Sequence, residues 1–147
     1  MTLRIYNHHD KEKIIHLIQL NTPQYFAEEE EKELIFYLDN FSQQFYLVEK
    51  NNEILACGGI NTVSENPNKM RLSWDIVHPL WQGKGLGTEL TKFRIDSIKN
   101  IPNISAIEVR TSQLVESYYQ KFGFKTVEII KDYWAKGFDL YRMEMFV

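Results

Sequence analysis

Three glycines at alternate positions, Gly83, Gly85 and Gly87, stand in the run Gln82-Gly83-Lys84-Gly85-Leu86-Gly87-Thr88. Before them an apolar segment ends Ile76-Val77-His78-Pro79, and after them a segment with helical spacing begins near Thr88. Glycine at every second place permits a tight turn that a Cβ would obstruct. A helix starting there aims several free backbone N–H groups, and the positive end of its dipole, at one point. The run therefore reads as an anion cradle. It does not match the phosphate loop G-x-x-x-x-G-K-[ST], because His78 stands where the first glycine belongs and Gly85 where the Ser or Thr belongs. Nor does it match the dinucleotide fingerprint G-x-G-x-x-G: the spacing here is G-x-G-x-G, and the strand before it is the fourth. A turn that only caps a helix would leave three alternating glycines without a packing reason.

Other residues with chemical potential are scattered. Cys57 is the only cysteine and lies in the apolar run Ile54-Leu55-Ala56-Cys57, which suits a buried small hydrophobe better than a nucleophile. His8-His9 has no carboxylate or cysteine at metal-binding spacing and reads as a surface pair. The acidic run Glu28 to Glu31 suits the positive end of a helix, and equally the capture of a cationic amine. Asp132-Tyr133-Trp134-Ala135-Lys136-Gly137-Phe138-Asp139 is an aromatic loop that forms a hairpin turn at Gly137 or closes a pocket with Trp134 and Asp139.

These residues need a scaffold, and its elements are legible from periodicity. Leu3 to Tyr6 alternates as a short strand. Asp10 caps a helix carrying Ile14, Ile15, Leu17 and Ile18. Thr22-Pro23 ends it, and a second helix buries Leu34, Ile35 and Leu38. Phe45 to Glu49, the turn Asn51-Asn52 and Ile54 to Val63 form a hairpin. Asn66-Pro67-Asn68 reads as a turn before a strand from Met70 to Val77. The helix after the glycine run places Leu86, Leu90, Phe93 and Ile98 on one face. Ala106 to Thr111 is a strand, Val115 to Phe122 a short helix ending at Gly123, and Thr126 to Ile130 and Leu140 to Phe146 are closing strands. The order β-α-α-β-β-β-α-β-α-β-β implies an α/β (α+β) fold: one domain over residues 1–147, with a mixed, mostly antiparallel sheet flanked by helices.

The whole chain bounds the partners. At 147 residues it is long enough for one proper core. Its formal charge of −3 argues against a general nucleic-acid binder. No apolar run is long enough to cross a bilayer, the N-terminus carries no apolar signal segment, and one cysteine forms no internal disulfide. A cytoplasmic protein, monomer or homodimer, is expected.

The run Val77-His78-Pro79-Leu80-Trp81-Gln82-Gly83-Lys84-Gly85-Leu86-Gly87 resembles the acetyl-CoA loop of the GCN5-related N-acetyltransferase (GNAT) family, [QR]-x-x-G-x-[GA], with Gln82, Gly85 and Gly87 in the defining places. Tyr119-Gln120-Lys121-Phe122-Gly123-Phe124 is similar to the family's Y-x-x-x-G-F element and follows the expected strand. The resemblance implies direct attack of a primary amine on acetyl-CoA. It implies that backbone N–H groups from Gly83, Lys84, Gly85, Leu86, Gly87 and Thr88 hold the pyrophosphate, Lys84 either adding a contact or remaining solvated. Asp75, Ile76 and Val77 would pair with the pantetheine arm, with an N–H of Ile76 or Val77 stabilising the oxyanion. Tyr119 would be the general acid to the departing thiolate, and Tyr118 a core residue. Ser112 stands where the family often has an asparagine that bonds the cofactor. Asp75, Glu108 and His78 remain open as bases, as does a water relay. The amine acceptor is unspecified, and an alternative is a non-catalytic domain that binds acyl-CoA as a sensor or interaction module.

Overall fold

The computed structural model describes all 147 residues. In chain order it contains β1 (Thr2–Ile5), α1 (Lys11–Leu20), α2 (Glu30–Asn40), β2 (Phe45–Lys50), β3 (Glu53–Val63), β4 (Asn66–Val77), α3 (Leu86–Lys99), β5 (Ala106–Thr111), α4 (Glu116–Gln120), β6 (Lys125–Ala135) and β7 (Phe138–Phe146). The seven strands form one sheet in the order β1-β2-β3-β4-β5-β7-β6. Neighbours are antiparallel except β4 and β5, which run parallel because the chain returns through α3 between them.

The helices cover both faces. Ile14, Leu17 and Ile18 recur three and four apart along α1 and, with Leu34, Tyr37 and Leu38 of α2, bury against Phe45, Leu47, Cys57 and Ile76. On the opposite face Leu86 and Leu90 of α3 meet Val48, Leu55 and Ala56, while Ile95 and Ile98 join Ile60, Leu72, Ile107 and Val109. Each fully buried Leu or Ile contributes about 1.5–3 kcal/mol relative to exposure, so these two layers hold the sheet in place.

Three local expectations change. Asn66-Pro67-Asn68 belongs to β4, and the turn falls earlier, at Ser64-Glu65. The β3–β4 register is irregular there, where a proline's missing N–H does no harm. In α2 the inward position taken for Ile35 belongs to Tyr37, whose hydroxyl donates to Asn61 Oδ1 at 2.6 Å. In α3 Phe93 is 38% exposed, packed edge-on against Tyr46, and Arg94 is the buried residue at 1%.

Two departures from regular pairing create the site. Gly59 faces Ser73 and Cys57 faces Ile76, so three steps along β4 match two along β3. The extra residue is a bulge at Trp74, which takes φ +55. On its other side, β4 pairs with β5 only from Lys69 to Leu72 against Ala106 to Val109. Beyond that point β4 stays with β3 and β5 with β7, and the two strands diverge.

Candidate active site

The divergence opens a cleft of about 1000 Å³ between β4 and β5. Asp75, Ile76, Val77, Gln82, Gly83, Gly85, Gly87, Thr88, Ser112 and Tyr119 all line it. Lys84 and Leu86 do not: the Lys84 ammonium lies 5.1 Å above the Trp81 ring, and the Leu86 side chain is buried under α3.

The loop owes its course to its glycines. Gly85 precedes the first residue of α3 and takes φ +91, a left-handed conformation that a side chain would strain. Gly87 is close-packed: an added Cβ would stand 3.1 Å from the Tyr118 hydroxyl and 3.2 Å from Val77 Cγ2. The first intrahelical bond runs from Glu89 N–H to the Gly85 carbonyl. The N–H groups of Leu86, Gly87 and Thr88 ahead of it therefore have no intrahelical acceptor, and they head a helix of 14 residues. This end fits a phosphate group.

The exposed edge of β4 is set by the pleat. His78 N–H bonds to the Leu55 carbonyl of β3 at 2.8 Å. Alternation then turns the backbone groups of Ile76 toward β3 and those of Val77 and Asp75 toward the cleft. The Val77 carbonyl is already occupied, accepting from Asn21 Nδ2 and from Gln82 Nε2, each at 3.2 Å. Gln82 also donates to Asn21 Oδ1 at 3.0 Å, tying the loop to the end of α1. The N–H groups of Val77 and Asp75 are left as the cleft-facing donors of this edge.

Deeper in the cleft three groups from three elements meet. The Tyr119 hydroxyl, on α4, donates to Asp75 Oδ2. Asp75 Oδ1 lies 2.6 Å from Arg94 Nη2, an ion-pair contact outside hydrogen-bond geometry. Arg94 reaches there from α3 and also donates through Nη1 to the Gly59 carbonyl at 3.0 Å. Gly58 makes room, since a Cβ on it would lie 2.6 Å from Asp75 Oδ1 and 2.7 Å from Arg94 Cζ. Burial, then the charge and hydrogen bond of Asp75, hold the Tyr119 phenol well above its ordinary range, with Arg94 opposing. Tyr118 packs half-buried against the core and also walls the cleft beside Gly87, its hydroxyl 3.0 Å from Thr91 Oγ1.

The other end is aromatic. Phe26 stacks on Trp74 at 6.3 Å between centroids, and Tyr37 lies at the same distance from Trp74. Glu30 lines this end, 7% exposed, with Oε2 accepting from Ala27 N–H at 2.8 Å. Burial raises its carboxyl to about 7. The acidic run thus does serve a helix start, and Glu30 also faces the cleft. Trp134 lines the cleft from β6 while its Nε1 donates to the Thr111 carbonyl at 3.1 Å. Asp139 instead fastens the hairpin, its Oδ1 accepting from Asp132 N–H at 2.9 Å, with Gly137 at the turn.

Two candidates, Glu108 and His78, lie outside the cleft, and Ser112 and Cys57 at its wall are otherwise engaged. Glu108 is buried outside the cleft, its Oε2 2.7 Å from Arg71 Nε and its Oε1 3.5 Å from Arg142 Nη1. His78 Nδ1 accepts from Leu80 N–H at 3.1 Å and caps a short turn. Ser112 Oγ accepts from Leu114 N–H at 3.3 Å while lining the cleft. Burial pushes the Cys57 thiol up, away from the reactive thiolate. Arg94 and Gly58, with the aromatic residues Phe26, Tyr37 and Trp74, are the site residues that sequence reasoning missed, while Glu30 entered only within the acidic run. A lone acid in the apolar strand ending Asp75-Ile76-Val77, and two glycines inside β3, were the available signals for the first two.

Comparison with known proteins agrees with this geometry. The model of the acetyltransferase (GNAT) domain matches residues 7–147. An N-alpha-acetyltransferase of Sulfolobus acidocaldarius is 28% identical over 136 residues, covering 84% of this chain and 76% of its own. One from Saccharolobus solfataricus is 28% identical over 158 residues, covering 97% and 90%. The structure of Ard1 from Thermoplasma volcanium superposes with a TM-score of 0.82 at 14% identity, over 99% of this chain and 97% of that one. With these matches over the cleft and cradle, the chain belongs to the GNAT acetyltransferase family, as an N-acetyltransferase that takes acetyl-CoA as its donor.

Proposed function

We propose that this enzyme moves the acetyl group of acetyl-CoA to an α-amino group at a peptide or protein N-terminus, with Tyr119 as the acid to the CoA sulfur. One observation carries the mechanism: a helix-head cradle, an unpaired strand edge and a buried phenol share the cleft opened by β4 and β5. The α-amine as acceptor rests on the two curated relatives, both N-alpha-acetyltransferases.

The chain divides the work along that cleft. Backbone N–H groups around Gly83 to Thr88 take the pyrophosphate, and charge-assisted bonds of this kind contribute about 1.5–3 kcal/mol each. The open edge at Asp75 and Val77 takes the pantetheine arm as a neighbouring strand would. The Val77 N–H, aimed outward by the pleat, meets the oxyanion. A thiol has a pKa of about 8.5 and a phenol about 10, so Tyr119 is protonated whenever a thiolate needs a proton or a hydrogen bond. Phe26, Tyr37 and Trp74, with the Glu30 carboxyl beside them, receive the ammonium side of the acceptor through its attraction to aromatic faces. The enzyme is taken to work in the cytoplasm as a monomer or homodimer, without nucleic acid.

The test is release of CoA with a panel of acceptors: short peptides with a free N-terminus, the same peptides blocked at the N-terminus but bearing lysine, a polyamine and an aminoglycoside. Mass spectrometry of the product is expected to place the acetyl group on the α-nitrogen. Acetylation confined to lysine would redirect the acceptor. Binding of acetyl-CoA without turnover of any amine would leave a non-catalytic acyl-CoA-binding module. Propionyl- and succinyl-CoA in parallel fix the acyl preference.

A further inference from the structure

Tyr119 has one phenolic proton, and the structure directs it at Asp75. Asp75 sits in the segment of β4 just past the bulge, and Arg94 holds its other oxygen. Arg94 cannot turn away: it is 1% exposed, and its N–H groups also reach the carbonyls of Gly59 and Leu90 and the Thr91 hydroxyl. A buried ion pair is weak evidence for stability, because well-packed apolar residues of the same volume do as well. A pair fitted over a glycine in β3 and against a reacting phenol needs another reason.

We propose that Asp75, held by Arg94, is the positioning residue of acetyl transfer: it docks the Tyr119 phenol in the cleft and keeps its proton on the carboxylate until the CoA sulfur becomes an anion. The proposal rests on the acetyl-transfer reading above. A thioester sulfur accepts hydrogen bonds poorly, so with donor bound the proton stays with Asp75. As the acceptor nitrogen forms its bond to the acetyl carbon, the carbon–sulfur bond breaks and its electron pair passes to sulfur. Tyr119 then turns its O–H to the thiolate and gives up the proton. The nitrogen sheds one proton to water, and water reprotonates Tyr119, so the balance closes at amide and thiol. An interaction made only as charge develops lowers the barrier without tightening the ground state. Arg94 supplies the positive charge that keeps Asp75 and a transient phenolate from facing each other uncompensated.

Charged or titratable groups reach Tyr119 from β4 (Asp75), α3 (Arg94) and α4 (Tyr118). The other buried residues of its cluster, Phe124 against its ring among them, carry none. Asp75→Asn keeps the shape, removes the negative charge and leaves the Arg94 guanidinium nearby. Three results are expected. First, kcat falls about tenfold or more, in the range of an acid–base contribution, with the Kd for acetyl-CoA unchanged. Second, the double variant with Tyr119→Phe is no slower than Tyr119→Phe alone, because the two residues act as one unit. Third, the resonance of isotope-labelled Tyr119 Cζ titrates at lower pH than in the wild type. Asp75→Glu restores the charge and the high titration point, while kcat stays low because the carboxylate has moved. Losses that multiply in the double variant, or a Tyr119 titration indifferent to Asp75→Asn, overturn the proposal. If the wild type acetylates no amine, the acetyl-transfer reading falls, and the titration still decides whether Asp75 governs Tyr119.

Discussion

In the proposed mechanism Tyr119 and Gly85 have different jobs in one cleft, and their variants separate binding from chemistry. Tyr119→Phe keeps the ring in its pocket beside Phe124 and removes only the hydroxyl. Turnover is expected to fall by about two orders of magnitude, in line with loss of a general acid, while calorimetry finds acetyl-CoA binding unchanged. Unchanged turnover would remove the acid role. Gly85→Val is expected to do the reverse, weakening acetyl-CoA first. An added Cβ at Gly85 meets nothing within 4 Å, so the effect enters through the backbone, since valine does not tolerate φ +91. Normal affinity in that variant would mean the loop does not cradle phosphate. Both residues were legible in the sequence because each belongs to a short local pattern. Arg94 was not, because its burial depends on Asp75 and Gly58, which are local to neither α3 nor each other. Phe93 fits an apolar stripe by spacing, yet the guanidinium one place on finds a carboxylate and a carbonyl that only the folded sheet brings to it.

At the scale of elements, the start of α2 and the interior of β3 carry consequences that can be measured as stability. Glu30 is raised in the folded chain from 4.5 to about 7. The native state therefore holds a proton that the unfolded chain has released. This lowers stability progressively as pH rises through that window and by a constant amount above it. Glu30→Gln keeps an oxygen for the Ala27 N–H and removes the charge. It is expected to gain about 1–3 kcal/mol above pH 7 and nothing below about pH 4.5, read as a Tm difference that opens between the two. A difference independent of pH would contradict a buried, proton-holding carboxyl. Gly58→Ala forces a Cβ against the Asp75–Arg94 pair, with an expected loss of about 1–3 kcal/mol and slower turnover. Full stability would mean the pair moves aside freely. Element order was legible throughout, since helical and strand periods alternate clearly. Boundaries failed where side chains gave no contrast: β6 runs on to Ala135 through Lys131 and Asp132, both exposed, across an irregular stretch between the pairs Ile130–Leu140 and Ala135–Phe138 where Asp139 Oδ1 accepts from the Asp132 N–H.

Across the whole molecule, the sheet has a gap that its own strands do not fill. No helix is long and apolar enough to cross a membrane. In the proposed mode the donor bridges β4 and β5, so acetyl-CoA at about one hundred times its Kd is expected to stabilise the fold by about 2.7 kcal/mol, seen as a Tm rise of several degrees. The same rise should be lost in Gly85→Val. In that mode the cradle and the open strand edge would grip parts of the donor that the reaction leaves untouched. Spent CoA carries the same pyrophosphate and pantetheine, so those contacts do not distinguish it from the charged form. Turnover is then expected to follow the ratio of acetyl-CoA to CoA, with CoA inhibiting competitively against the donor. A strand left unpaired for a cofactor would thus make the enzyme a reader of acetyl supply.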